Sequence, residues 1–247
     1  MLDPATLISI TIVILSIFQT IVGIGILVLG TPILLLTGLE MIEVMKILLP
    51  LSILNSLLNI IYLKINDKKI KTDKSIKKLF FFICLPGVLL GIIFLRLFAD
   101  FINFNILVSC VIWVILLVSY FHRKNNLNFL KRLRKSLILL TGIVHGLTNS
   151  GGSLLSILII ETYNKSLNFL RYQIIFFYFF LASLQYIFIF FVYEFNFFIN
   201  IKLIHILSLF LGVFLGNFIQ KKVNVDQLKN IIFLVAFLSS IFLLLKA

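Results

Sequence analysis

The chain has 247 residues, of which 61% are hydrophobic and 13% are charged, and its mean hydropathy is +1.17. Soluble domains carry roughly 25% charged residues, so this composition excludes a soluble globular protein and indicates a polytopic membrane protein. The net charge of +13 would suit nucleic acid in a soluble protein. Here the Lys and Arg residues lie in loops beside apolar segments, where membrane topology and anionic lipid explain them. We therefore expect membrane lipid as a partner and no nucleic acid.

Eight apolar runs follow one another, at about 5–38, 44–63, 79–98, 104–121, 136–160, 172–193, 201–220 and 229–245. The first lacks the positive flank and cleavage site of a signal peptide, so we interpret it as a retained segment. Its 34 residues would form roughly 51 Å of helix against about 30 Å of hydrocarbon. The fifth is interrupted by Thr-Asn-Ser-Gly-Gly. Each of these two runs is predicted to form two short helices that meet at a glycine turn.

These two interruptions are the predicted site. The first reads Gly23-Ile24-Gly25 and is followed by Gly30-Thr31-Pro32; the second runs from Thr148 to Ser153. Irregular backbone at membrane depth is tolerated only inside protein or beside a wet cavity. A helix that begins there directs free N–H groups and the positive end of its dipole into the cavity, which suits an anion. The alternative is a pair of kinked helices whose glycines serve only close packing.

Loop charges favour a topology in which the first and fifth runs double back. The loops 64–78, 122–135, 161–171 and 221–229 then share one side and hold 18 of the 22 Lys and Arg residues. If every run crossed once, that side would hold 15. The positive-inside rule makes the richer side cytoplasmic. We therefore expect a multi-pass protein of the cell membrane with loops 64–78 and 122–135 in the cytoplasm and both termini outside.

The chain also repeats itself at a shift of 125 residues, which places Gly87-Val88-Leu89-Leu90-Gly91 on Gly212-Val213-Phe214-Leu215-Gly216. This spacing of glycines predicts close helix packing, within one unit or between the two. The unit is a broken hairpin plus three helices, used twice, at 1–121 and 136–247 with a basic linker at 122–135. Because the predicted number of crossings inverts the second unit, the architecture is one of two inverted repeats, which is common in secondary transporters.

Polar residues on the following helices complete the candidate site. Ser52, Asn55, Asn59 and Tyr62 share one helical face, and Tyr178 and Gln185 are polar members of the sixth run. They could contact substrate or bond a neighbouring helix. His145, next to the second break, could exchange a proton with the cavity or bond a freed carbonyl. The predicted substrate-binding residues are Gly23, Gly25, Thr31, Asn55, Asn59, Thr148, Asn149, Ser150, Gly151, Gly152, Ser153 and Gln185.

The sequence gives no sign of a metal, a cofactor or an enzyme. Cys84 and Cys110 lie singly in different apolar runs, without the spacing of a metal or redox motif. Membrane-embedded enzymes carry clusters of acidic, His or Cys residues within their spans, and the runs contain no such cluster. We therefore expect no metal, no cofactor and no catalytic site.

The glycine breaks resemble a known family. Gly23-Ile24-Gly25 with Gly30-Thr31-Pro32-Ile33-Leu34-Leu35-Leu36, and later His145-Gly146-Leu147-Thr148-Asn149-Ser150-Gly151-Gly152, resemble the doubled signature of the sulfite exporter TauE/SafE family. Ile26, Leu27 and Ser153 depart from its commoner forms. The resemblance implies a permease of the bacterial cytoplasmic membrane that moves sulfite, sulfonates or related organic acids. We expect a secondary transporter with alternating access at a midplane site; the alternatives are an anion channel and a non-transport membrane protein.

Overall fold

A computed structural model describes residues 4–98, 101–125, 134–163, 166–193, 202–220, 234, 237–238 and 240–245, and all regular structure in these ranges is helical. The described parts of the eighth run, within 229–245, are helical too, but about half of that run lies outside the described residues. The helices, with the bounds that the described residues give them, are α1 (Pro4–Val22), α2 (Ile26–Leu36), α3 (Met41–Asn66), α4 (Lys74–Phe98), α5 (Phe104–Asn125), α6 (Arg134–Thr148), α7 (Gly151–Thr162), α8 (Leu167–Tyr193) and α9 (Leu203–Ile219).

Three of the described helices are long and apolar enough to cross a bilayer: α3, α4 and most of α8. Helix α4 contains one π-helical turn at Phe80–Cys84. The outer faces of α4 and α9 carry exposed large apolar side chains, among them Leu97 at 64% and Phe214 at 72% exposure. Apolar surface of this extent is typical of contact with lipid. The described bundle thus has the construction of a multi-pass membrane protein.

The first and fifth apolar runs each form two helices that turn back on each other. A methyl group added to Gly25 would lie 2.9 Å from the carbonyl oxygen of Leu15, so α2 returns along α1. In the second hairpin, Gly151 lies in the same way against the carbonyl oxygen of Thr141, and α7 returns along α6. The two glycines follow their partners at the same spacing, so the two hairpins share one construction.

The two turns use different residues. Gly23 has a φ of +96°, a left-handed conformation that glycine adopts at little cost, and the glycine turn predicted for the first run is confirmed. In the second hairpin the residue with a positive φ is Asn149, at 62°, and both following glycines lie inside α7. The glycine turn predicted for the fifth run is therefore wrong. Asparagine is one of the few other residues that enter this conformation readily.

Glycines also bring helices of the two halves together. Helix α4 packs on α6, where a methyl group at Gly87 would approach the carbonyl oxygen of Leu139 to 2.8 Å. Helix α9 packs on α1, where a methyl group at Gly212 would approach the carbonyl oxygen of Val13 to 2.6 Å. Neither contact leaves room for a side chain. The glycine spacing predicted to serve close packing therefore does so, and it acts between the halves.

Helices α3 and α8 lie side by side through the centre of the bundle. Buried apolar side chains from both helices, such as Leu48 and Phe177, form the main core. Both hairpins turn beside this pair: Gly23 lies against Ile174 of α8, and Gly152 lies against Tyr178 one turn further along. The fold thus brings the two breaks to one place on α8.

Candidate functional site

At the first break, Gln19 connects the start of α2 to the middle of α3. Its Oε1 accepts a hydrogen bond from the N–H of Ile26 at 3.1 Å, and its Nε2 donates to Ser52 O at 3.1 Å and to Ser56 Oγ at 2.9 Å. Ile26 begins α2, so Gln19 satisfies one of the free amides at this helix start. Gln19 was not among the residues predicted from the sequence. A glutamine within an apolar run was the signal that could have identified it.

At the second break, three predicted hydroxyl donors are engaged with the backbone of their own hairpin. Thr148 Oγ1 donates to the carbonyl one turn earlier at 2.9 Å. Ser150 Oγ donates to Thr148 O at 3.2 Å, and Ser153 Oγ donates to Ser150 O at 2.6 Å. These bonds shape the turn and the first residues of α7. A direct contact between these hydroxyls and substrate stays a prediction.

A side-chain hydrogen bond joins the two breaks. Asn149 Nδ2 donates to Thr31 Oγ1 of α2 at 3.1 Å, and both residues are 0% exposed. Asn149 Oδ1 has no hydrogen-bond partner. Both residues were predicted to belong to the site, but nothing in the sequence indicated that they touch. The fold places them in contact between the hairpins.

Tyr178 lies between the two helix starts. A methyl group at Gly152, at the start of α7, would overlap the Tyr178 ring. The hydroxyl faces the N–H groups of Leu27 and Val28, in the first turn of α2, and the hydroxyl of Ser52. None of these forms a hydrogen bond of regular geometry with it. Tyr178 is 0% exposed, so the fold buries an unpartnered donor beside the start of α2, and the start of α7 lies against the same ring.

The ring of His145 packs edge-on against the Tyr178 ring, with centroids 5.9 Å apart and an interplanar angle of 67°. His145 is 0% exposed, and neither of its ring nitrogens has a hydrogen-bond partner. The interpretation that its side chain bonds a carbonyl freed by the break is therefore wrong. Its contact with Tyr178 is the interaction that the structure gives it.

The amides of Asn55, Asn59 and Gln185 are directed at the ends of the helices that enter the breaks. Asn59 Nδ2 donates to Thr20 Oγ1 at 3.1 Å and to Asn55 Oδ1 at 2.8 Å. Asn55 Nδ2 donates to a carbonyl of α1 at 3.4 Å. Gln185 Nε2 donates to the His145 carbonyl at 3.0 Å. All three side chains bond neighbouring helices, which was the alternative to substrate contact, and their role as substrate ligands stays a prediction.

Arg171 lies inside the bundle, although the sequence analysis assigned it to the loop 161–171. It belongs to α8, is 4% exposed, and donates from its guanidinium to the carbonyl of Thr20 near the end of α1. Its Nε has no hydrogen-bond partner. A buried arginine therefore lies beside the first break.

Each break brings the carbonyl groups of one helix end next to the amide groups of the following helix start. The carbonyls that end α1 and α6 accept hydrogen bonds from Arg171 and Gln185, respectively. Each of the following helices, α2 and α7, starts with amide groups that have no partner within the helix. Each helix start carries roughly +0.5 elementary charge. The ends of α1 and α6 carry the opposite partial charge, so the free amides would attract an anion at close range and not through a net charge of the turns.

A second polar cluster connects loops at the end of the bundle where α4 and α6 begin. Asp73 caps α4 by accepting from the N–H groups of Ser75 and Ile76 at 2.9 and 3.1 Å. Burial raises the pKa of Asp73, but these amides, the Tyr163 hydroxyl and the Arg134 charge outweigh burial and lower it overall. Burial and the neighbouring Asp73 in turn raise the pKa of Tyr163. The cluster ties α4, α6 and the end of α7 together.

A family comparison decides which proteins the chain is related to. The profile of the family described as "Sulfite exporter TauE/SafE" matches residues 8–243, nearly the whole chain. The chain belongs to the sulfite exporter TauE/SafE family. Searches of curated proteins and of solved structures return no significant match. The family resemblance inferred from the two glycine breaks is thereby confirmed.

Membership in the TauE/SafE family makes the chain a multi-pass membrane protein of a transporter family, with a small anion as the type of substrate. The apolar helices agree with that placement. In the described part of the chain no group of three His, Cys, Asp or Glu side chains could hold a metal ion. The matched range includes both hairpins, so the site built from them lies within the family's shared region.

Proposed function

We propose that the chain is a secondary carrier of small anions such as sulfite, organosulfonates or related organic acids, with one substrate site between the two breaks. The observation that carries the proposal is the position of Tyr178. Its unpartnered hydroxyl faces the first amides of α2 while its ring touches Gly152 at the start of α7. Two helix starts and a hydroxyl converge there, which is a suitable donor set for an oxyanion.

Corresponding contacts in the two halves support an inverted repeat. The offset that aligns Gly25 with Gly151 also aligns the start of α3 with the start of α8. Helix α4 packs on α6 while α9 packs on α1, as two halves related by a pseudo-twofold axis would require. In transporters of this design, one half moves against the other around a fixed midplane site. We propose the same alternating access here.

The basic loops give the orientation that belongs to this proposal. Loops 64–78 and 122–135 are cytoplasmic, and both termini are outside, because the positive-inside rule favours that arrangement. Cysteines introduced at 71 and 222 should then react with a membrane-impermeant label from the same side. Reaction from opposite sides would contradict the inverted repeat.

Burial of the site favours a carrier over an anion channel. Tyr178, Asn149 and Thr31 are all 0% exposed, so the proposed site is enclosed by protein, as in the occluded state of a carrier. A channel conducts through a filter that ions enter and leave without a change of access. For a monovalent anion, export from a cell with a negative interior is favoured by about 2.3 kcal/mol per 100 mV. Export therefore needs no coupled ion.

Counterflow in proteoliposomes tests the proposal. Unlabelled sulfite or methanesulfonate inside the vesicles should accelerate the uptake of the labelled anion, and the rate should saturate. Asn149→Leu should abolish the exchange because it removes the bond to Thr31. The control is Asn66→Leu, since Asn66 is exposed at the end of α3. Ohmic current, or full exchange by the Asn149 variant, would contradict the proposed carrier.

We propose that His145 positions Tyr178 and does not couple transport to protons, because neither of its ring nitrogens has a partner while its ring contacts Tyr178. His145→Phe keeps an aromatic ring and should retain exchange with the wild-type dependence on pH. His145→Ala should weaken exchange. If His145→Phe exchanged anions but no longer responded to an imposed pH gradient that drives the wild type, proton coupling through His145 would replace this proposal.

A further inference from the structure

Arg171 is a buried cation without a countercharge in the part of the chain that the structure describes. Its side chain is 4% exposed, one guanidinium nitrogen donates to the Thr20 carbonyl, and its Nε has no partner. The titratable group beside it is the phenol of Tyr62, and no described carboxylate pairs with it. A charge held this way within a membrane protein is costly and marks a functional position.

The position of Arg171 is close to one end of the bundle. Its neighbour Gln173 donates to Lys71 O at 2.8 Å and accepts from the N–H of Asp73 at 3.2 Å. Tyr172 packs with Leu63 and Ile70 in a separate small apolar cluster. Arg171 therefore lies just beneath the loop 67–73, between that loop and the first break.

A continuous series of polar side chains leads from Arg171 to Tyr178. Thr20, whose carbonyl accepts from Arg171, also accepts from Asn59 through its hydroxyl, and Asn59 bonds Asn55 on the next turn of α3. Gln19, beside Thr20, then bonds Ser56 and Ser52, and Ser52 faces the Tyr178 hydroxyl. The series thus runs along one face of α3, from the buried cation to the proposed substrate site.

In the other half, the position that corresponds to Arg171 by the offset of the two hairpins is uncharged. The offset that aligns Gly25 with Gly151 aligns Arg171 with Met45. Met45 is buried, and its sulfur lies 3.8 Å from Gln185 Nε2. The next residue, Lys46, which the shift of 125 residues would align with Arg171, is partly exposed. The series of polar side chains along α3 therefore has a buried cation at its end, while the buried residue at the corresponding position in the other half is an uncharged methionine.

We propose that Arg171 is a second anion subsite, which receives a small monovalent oxyanion from the side of the loop 67–73 before the anion reaches Tyr178. This rests on the proposed carrier function. The free Nε–H and the adjacent guanidinium N–H groups form a planar fork that matches two oxygens of a sulfonate or carboxylate. Because the subsite exists in one half only, the carrier binds anions more tightly from the loop 67–73 side than from the opposite side.

Anion transport measured separately from each side tests this subsite. Vesicles of both orientations are loaded for counterflow of labelled methanesulfonate. Arg171→Gln should raise KM on the loop 67–73 side by about tenfold or more, which is the loss typical of a hydrogen bond to a charged group. KM on the opposite side should stay within about twofold of wild type. Arg171→Lys keeps the charge without the planar fork, so its KM on the loop 67–73 side should lie between those of the wild type and Arg171→Gln. Arg96→Gln is the control, because Arg96 is exposed at the end of α4.

Two outcomes would overturn the subsite. One is an Arg171→Gln protein with wild-type KM on both sides. The other is an equal loss of maximal rate on both sides without a change in KM, because that result would mean that Arg171 only caps the end of α1.

A binding experiment separates failure of the subsite from failure of the carrier function. If the wild type moves no anion, methanesulfonate should still raise the melting temperature of purified wild-type protein and should raise that of Arg171→Gln less. An equal shift in both proteins, or no shift in either, would overturn the subsite.

Discussion

Removal of one oxygen atom, in Tyr178→Phe, probes the proposed substrate site with little disturbance of the fold. The ring keeps its contacts with Gly152 and His145. The hydroxyl has no regular hydrogen bond in the protein, so its loss breaks none. Because Tyr178 is 0% exposed, water at the protein surface does not fill the position of the removed oxygen. The substitution therefore changes what the site can offer to an anion and little else.

The expected size of the effect follows from this geometry. Because the Tyr178 hydroxyl is a free donor, its hydrogen bond to a bound anion would be a bond to a charged acceptor, worth about 1.5 to 3 kcal/mol. That corresponds to roughly a tenfold to a hundredfold weaker binding of the anion. The free energy of unfolding without anion should change by less than about 1 kcal/mol, since an unpartnered buried hydroxyl contributes little to stability.

Counterflow of labelled sulfite and thermal unfolding of the purified protein, each with and without sulfite, measure the two effects. We expect a raised KM and a reduced stabilisation by sulfite, with an unchanged melting temperature in its absence. Tyr172→Phe is the matched control, because Tyr172 lies on the same helix but packs with Leu63 and Ile175. Wild-type KM in Tyr178→Phe, or the same increase in KM in the control, would refute the reasoning.

Three other substitutions test the packing, the loop cluster and the first break. Gly91→Ala should destabilise the protein by about 1 to 3 kcal/mol, because the added methyl group overlaps α6. The control Leu90→Ala changes the exposed neighbouring residue and should destabilise the protein less. Equal melting temperatures of the two variants would contradict the close contact at Gly91. Asp73→Ala removes a helix cap and should cost about 0.5 to 2 kcal/mol. Because the pKa of Asp73 is lowered in the folded state, the ionised carboxylate contributes fully to stability above the unfolded pKa of about 3.9. This contribution is lost as the pH falls through the lower folded pKa. The difference in the free energy of unfolding between the wild type and Asp73→Asn should therefore narrow in acid, and a constant difference would contradict this. Gln19→Leu leaves several buried groups without partners and should destabilise the protein by about 1 to 3 kcal/mol for each. The variant should therefore unfold at a lower temperature and no longer exchange anions. A melting temperature equal to that of the wild type would show that the bonds of Gln19 contribute nothing to stability.

The hairpins could be predicted because their causes are local. A run too long for one crossing and a cluster of small polar residues are visible in a single stretch of sequence. The left-handed turn at Asn149 could not be separated from the glycines beside it, because all three residues tolerate such a backbone. Only the packing of Gly151 on α6 and of Gly152 on Tyr178 decides where the turn lies.

The roles that could not be assigned from the sequence depend on contacts between distant segments. Tyr178 could be identified only as a polar member of a run rich in phenylalanine, and its position at the site follows from the helix starts placed around it. Arg171 stands at the boundary between a polar loop and an apolar run, where charge alone suggests exposure. Its burial depends on the end of α1 lying against α8, which is a long-range contact. The family match confirms the overall identity but does not supply these contacts.

Anomalous diffraction from crystals of the wild type grown with selenite, a heavier analogue of sulfite, tests the central claim most directly. The claim is that one anion binds where the two broken helices meet. It predicts an anomalous peak within hydrogen-bonding distance of the Tyr178 hydroxyl and the Leu27 amide, reduced or lost in Tyr178→Phe. A selenite peak elsewhere in a protein that exchanges selenite, with no peak between α2 and α7, would contradict it.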